Sequence, residues 1–189
     1  LKLDQAMGDA EEFIQPIAPA EAYQERLPCL EPIVTATGIE IALQKLIEQL
    51  CQRLKTEGKG IRTAVFKGYR VDGKMVSIEI GTNKPSHNKT HLFKLFQLKI
   101  ENIEPALGIE LFILEAPKVE DILTIQEKLW QKTGGLEDNH LAELLDRIGG
   151  KLGSQHIHRY LPAEHYWPER SYKTAHSLNE KATTQWKTN

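Results

Sequence analysis

The segment Val71-Asp72-Gly73-Lys74 constrains the fold of this chain more than any other stretch. Asp-Gly supplies the positive φ angles that a tight hairpin turn needs. The segments 61–70 and 75–82 flank it. Val76, Ile78 and Ile80 alternate with Ser77, Glu79 and Gly81. This period of two predicts an antiparallel hairpin with one buried face and one polar face.

A strand and a helix are predicted before the hairpin. Leu27 to Val34 is apolar but contains Pro28 and Pro32, which cannot donate to a strand ladder, so we expect an edge strand. Thr37 and Glu40 have the Thr-x-x-Glu spacing of a capping box, which predicts that a helix begins there. Its apolar positions have helical spacing until Gly58 and Gly60: Ile39, Leu43, Leu46, Ile47, Leu50 and Leu54.

A helix and a strand follow the hairpin. The helix carries Leu92, Phe93, Phe96, Ile100 and Ile103 and is expected to end before Pro105 and Gly108. Residues 109–114 predict a fourth strand, closed by Pro117. This order predicts an α+β fold: a split β-α-β-β-α-β, four-stranded antiparallel sheet with two helices on one face. A further helix over 139–152, ended by Gly153, and a polar, aromatic tail form a C-terminal extension.

Composition excludes several classes of protein. The 189 residues are 40% hydrophobic and 26% charged, which is typical of a globular chain. No apolar run approaches the roughly 20 residues of a membrane span. Cys29 and Cys51 are predicted to be small core residues in a reducing cytosol. The chain starts at Leu1 without a signal segment, so we expect a cytoplasmic fragment of a longer protein.

Positive charge is concentrated between residues 61 and 100, which hold eight basic and two acidic side chains in a chain of net charge −2. Such a segment is a candidate surface for a polyanion, although it also fits a solvated face. Phe66 and Tyr69 interleave with the cations, and packing in a core is favoured over base stacking. The candidate phosphate contacts are Arg62, Lys67, Arg70, Lys74, Lys84 and Lys89.

Signatures of catalysis are absent from the sequence. It contains no nucleophile elbow, phosphate-binding glycine loop, dinucleotide fingerprint or paired acids for two-metal chemistry, and no cofactor is expected. A metal-dependent hydrolase using His156, His158 and His165 is a remote alternative, since their spacing matches no ligand signature. We therefore expect neither catalytic residues nor metal ligands.

A short peptide in the linker is a second candidate for binding. Gln126, Leu129 and Trp130 have the spacing of a peptide whose Leu and aromatic side chains fill an apolar pocket. The alternative is an amphipathic turn packed on its own domain.

Several ordered segments together resemble the C-terminal part of Y-family DNA polymerase homologues, and more narrowly the ImuB-type branch. They are residues 3–8, 62–74, 80–85, 108–117, 141–148, 159–162 and 168–170. The resemblance implies a linker at 1–26, a DNA-gripping little finger at 27–117, a linker with a sliding-clamp peptide at 118–136, and an extension at 137–189. In that branch the catalytic carboxylates are typically lost.

The function implied is therefore a non-catalytic part of a bacterial, damage-induced translesion synthesis protein. Its partners would be the backbone of primer-template DNA, a sliding clamp, and other mutasome proteins including a replicative-type polymerase. The rival from another class is a ferredoxin-like protein-interaction or oligomerisation module, whose open sheet face is covered by a second copy and whose basic segment is incidental.

Overall fold

The computed structural model describes residues 22–122, 139–176, 178, 180, 182 and 183. Its main elements in chain order are β1 (Gln24–Ile33), α1 (Ala36–Thr56), β2 (Lys59–Arg70), β3 (Met75–Ser86), α2 (Lys89–Gln97), β4 (Ile109–Asp121), α3 (Asn139–Leu152), β5 (Tyr160–Pro162) and β6 (Tyr172–Thr174). The first four strands form one antiparallel sheet in the order β1-β4-β2-β3. The predicted α+β class and split element order are confirmed, and β1 is an edge strand as expected.

One face of the sheet carries the core. Helices α1 and α2 pack on it, and their apolar positions join those of the strands in a single buried cluster. Phe66 of β2 stacks on Phe112 of β4 at 5.4 Å and meets Phe96 of α2 edge-on at 6.2 Å. Phe66 is therefore a core residue, as predicted. The same prediction is wrong for Tyr69, which is half-buried and does not belong to this cluster. Cys51 is buried in the same cluster, as predicted for a core residue, whereas Cys29 is half-buried and packs against the cluster from outside.

Helix α1 begins earlier than the capping-box spacing predicts. Thr35 is its N-cap, and its hydroxyl accepts a hydrogen bond from the backbone N–H of Gly38 at 3.1 Å. A Cβ on Gly38 would lie 2.6 Å from Ile33 Cγ2 and 3.0 Å from Thr35 Oγ1. Because Gly38 has no Cβ, its backbone can lie close to Ile33 and Thr35. The cap is Thr35, so the prediction that Thr37 caps the helix is wrong.

The second helix and the last strand of the sheet also differ from prediction. Helix α2 ends at Gln97, and a short 3-10 turn over Ile100–Asn102 follows it. Strand β4 runs through Pro117 to Asp121 instead of stopping. The register of β4 against β2 shifts between Thr63 and Val65, opposite this proline. A bulge accommodates a residue without an N–H, which is why Pro117 does not end the strand.

The C-terminal extension begins with α3, whose bounds agree with prediction. This helix packs against β3 and α2. After Gly153, at φ +95°, the chain reaches β5 and β6, which pair with each other and bring Tyr160 and Tyr172 to 5.3 Å. No helix in the described ranges is long and apolar enough to cross a membrane.

Candidate nucleic-acid interface

The turn between β2 and β3 has the geometry of a three-residue hairpin loop. Gly73 has a φ of +78°, and its N–H donates to Arg70 O at 3.0 Å. The N–H of Arg70 donates to Lys74 O at 2.9 Å. Asp72 accepts from the Arg70 guanidinium at 2.5 Å and from Lys74 N at 3.2 Å. The hairpin is confirmed, and only its glycine needs the left-handed conformation.

The face of the sheet opposite the helices holds Lys67. In β2 the fully buried Ala64 and Phe66 point toward the core, so Val65, Lys67 and Tyr69 lie on the other face. Lys67 pairs in register with Ile113 of β4 and forms an ion pair of 2.6 Å with Glu115. Its side chain is still 24% exposed, so a ligand on this face can reach it.

Arg62 and Lys84 lie at the opposite end of the hairpin from its turn. The register passes from Thr63–Gly81 to Ile61–Ser86, so residues 82–85 lie opposite the single residue Arg62. This segment is called the β3 bulge below. Arg62 donates through Nη1 to Thr82 O, and its Nε lies 3.2 Å from Glu120 Oε2. Lys84 is half-buried within the bulge.

Lys74 and Lys89 complete the predicted set. Lys74 is exposed in the turn, and its ammonium has no recorded partner in the part of the chain that the structure describes. Lys89 is the first residue of α2 and lies 2.7 Å from Glu48 of α1. That hydrogen bond, with the attraction of the ammonium, holds the pKa of Glu48 below its ordinary value. Lys67, Arg70 and Lys74 thus lie on the half of the hairpin nearest its turn, but the alternation of β2 puts Arg70, 13% exposed, on the face opposite Lys67. Lys89 lies on the helical side.

Counting charges along the sequence missed the acidic partners of these cations. Glu115 lies 48 residues from Lys67, and Glu48 lies 41 residues from Lys89, so no local pattern connects either pair.

Counting charges along the sequence also missed Arg26. This residue of β1 pairs in register with Ile113, on the side of β4 opposite β2. Ile113, which lies between Lys67 and Arg26, is only 6% exposed. The long aliphatic parts of these two side chains are suited to covering it. The alternation of β1 could have indicated Arg26.

The remaining predicted site residues are not part of this surface. The proposed peptide residues Gln126, Leu129 and Trp130 lie outside the described residues. In the described ranges, no three His, Cys, Asp or Glu residues are grouped so as to hold a metal ion. His165 instead accepts a hydrogen bond through Nδ1 from the N–H of Trp167 at 3.1 Å. Among the described residues, His156, His158 and His165 are not grouped as a set of metal ligands.

Comparison with solved structures finds similar chains in DNA polymerase structures. One is in a complex of the beta-clamp processivity factor with the little finger domain of PolIV (TM-score 0.44, 18% identity, 59% of this chain and 100% of that chain). Another is a Y-family chimera of Dbh and Dpo4 (TM-score 0.47, 10% identity, 64% of this chain and 34% of that chain).

In sequence, the chain is similar to the protein ImuB of Caulobacter vibrioides. Over 186 residues the two are 29% identical, and the match covers 98% of this chain and 41% of the relative, in both strain NA1000 / CB15N and strain ATCC 19089 / CIP 103742 / CB 15. The chain therefore spans about two fifths of the length of these relatives. No family model matches it.

Proposed function

We propose that this chain is the non-catalytic DNA-binding and clamp-docking portion of a Y-family polymerase-like protein of translesion synthesis. The observation that carries the proposal is the similarity to ImuB over 98% of the chain. The cations of the β2–β3 hairpin are its candidate phosphate contacts. The chemistry of bond formation then belongs to other parts or partners, and this lobe acts as a grip on the template.

The geometry supports contact with the phosphate backbone rather than readout of bases. Long cationic side chains on a strand pair and its turn can follow phosphates without sequence information. Of the two aromatic residues interleaved with the cations, Phe66 is 0% exposed and not available to a ligand, whereas Tyr69 is half-buried on the open face. A base stacked on Tyr69 would not be distinguished by sequence. Binding should therefore be independent of sequence and steeply dependent on salt.

Duplex binding by a triple variant tests the proposed contacts with DNA phosphates. Lys67→Ala, Arg70→Ala, Lys84→Ala together should weaken binding to any duplex and reduce the salt slope by about 0.9 for each phosphate that is no longer neutralised. The matched control removes three exposed cations from the helical side: Lys45→Ala, Lys55→Ala, Lys94→Ala. Both variants lose the same charge, so equal effects would show that position is irrelevant and contradict the proposal.

We further propose that the linker peptide docks this protein on a sliding clamp, since Gln126, Leu129 and Trp130 have the required spacing. Replacing these three residues with Ala should abolish binding to the purified clamp in calorimetry. A control with Glu127→Ala and Lys128→Ala changes only the residues between them. Unchanged clamp affinity in the first variant, or an equal loss in the control, would end this assignment.

A further inference from the structure

A buried carboxylate connects the C-terminal extension to the sheet. Asp146 of α3 is 6% exposed, and both of its oxygens have partners. Oδ1 accepts from the backbone N and from Nδ2 of Asn83, each at 2.7 Å. Oδ2 lies 2.9 Å from Nε2 of His91, itself 3% exposed. These bonds offset the cost of removing a carboxylate from water.

Asn83 is the second residue of the β3 bulge, where the sheet itself provides few ladder bonds. Four residues lie opposite one there, so regular pairing between β2 and β3 is interrupted. Thr82 Oγ1 donates to Ile61 O at 2.7 Å and fixes the start of the bulge. Asp146 fixes the next residue through both its backbone and its side chain. The path of Lys84, which follows directly, is thereby set from α3.

A second contact from α3 holds the far side of the same segment. Asn88 donates through Nδ2 to Glu143 Oε1 at 2.8 Å, and its Oδ1 accepts from Thr90 N at 3.1 Å as the N-cap of α2. Glu143 and Asp146 are three residues apart, so they lie on one face of α3. Helix α3 therefore contacts both ends of the segment that runs from the bulge to the start of α2.

We infer that Asp146 is a positioning residue for DNA binding: α3 holds the β3 bulge in the conformation that presents Lys84 to a phosphate. This inference rests on the proposed function. It makes the extension part of the DNA-binding unit, because any event that loosens α3 also releases the bulge and weakens the grip. A helix that only added stability would have no such specific effect on Lys84.

A double-mutant cycle on the full chain separates these two cases. Wild type, Lys84→Ala, Asp146→Ala and the double variant are titrated with one duplex over a range of salt, well below every unfolding temperature. Each single variant should reduce the salt slope by about 1. The double variant should match Lys84→Ala, because Lys84 is the residue through which Asp146 acts. Fully additive effects, or an Asp146→Ala variant that binds like wild type, would overturn the inference.

Amide exchange provides a readout without DNA. In Asp146→Ala the Asn83 amide should exchange faster, while Asp146→Asn retains an acceptor oxygen and should largely preserve both slow exchange and binding. Ile109→Val, a core variant that pairs with Arg70 at the turn end of the sheet, controls for general loss of stability. If wild type shows no salt-dependent duplex binding, the proposed function itself fails. If wild type and Lys84→Ala behave as expected but Asp146→Ala does not, only this inference fails.

Discussion

Neutralising Glu115 should increase the affinity of this chain for DNA. Glu115 holds Lys67 at 2.6 Å on the sheet face opposite the helices, with side-chain exposures of 29% and 24%. A phosphate that contacts the far side of Lys67 would lie about 6 Å from the carboxylate. At that distance in water, two like charges repel by about 0.7 kcal/mol. Glu115→Gln removes this repulsion and frees the ammonium, so the affinity should rise about threefold at low salt.

Fluorescence anisotropy with a labelled duplex, at two salt concentrations, measures this effect. The gain should shrink as salt rises, because counterions screen exposed charges. Glu101→Gln, an exposed acid in the turn after α2, makes the same change in net charge elsewhere and should have a smaller effect. An affinity that is unchanged or lower in Glu115→Gln, with folding intact, would refute the assignment of Lys67 to the DNA surface.

Three further predictions concern folding and titration. Thr35→Ala should destabilise the fold by about 1 kcal/mol in urea denaturation because it removes the N-cap, whereas Thr37→Ala should cost less than about 0.5 kcal/mol. Burial raises the pKa of Cys51 to about 11, so iodoacetamide should label it far more slowly in the native than in the urea-unfolded chain. The hydrogen bond from Lys89 lowers the pKa of Glu48. The Lys89–Glu48 pair therefore stabilises the fold at pH values above the ordinary carboxylate pKa. This stabilisation is lost as the pH falls through the lowered pKa of Glu48. Lys89→Gln should raise the pKa of Glu48 in an NMR titration, and an unchanged pKa would contradict the pairing.

Elements whose signals are local could be predicted from the sequence. The alternation around Asp72-Gly73 locates the hairpin, and the apolar spacing of α3 gives both of its ends. Errors occurred where tertiary context decides a boundary. Pro117 lies within a strand because a bulge removes the need for its N–H. Thr35 caps α1 because Gly38 allows a close approach to Ile33, which the Thr-x-x-Glu spacing does not reveal.

The candidate site shows the same division. The sequence shows that cations are concentrated in the β2–β3 hairpin, because residues close in sequence stay close in two strands joined by a turn. It cannot show that Lys67, Arg62 and Lys89 each have a carboxylate partner, since those acids come from distant elements. The burial of Asp146 was hidden for a similar reason. An acid in an amphipathic helix is normally assigned to solvent, and only the packed structure reveals that it is buried.

Both edge strands of the main sheet, β1 and β3, are poorly suited to pairing with a further strand. On one side β1 contains Pro28 and Pro32, which each remove a backbone donor, and its register is broken between Pro28 and Ile33. On the other side β3 is interrupted by its bulge and contains Pro85. Such features discourage edge-to-edge association. Self-assembly into a continuous intermolecular sheet is thus disfavoured.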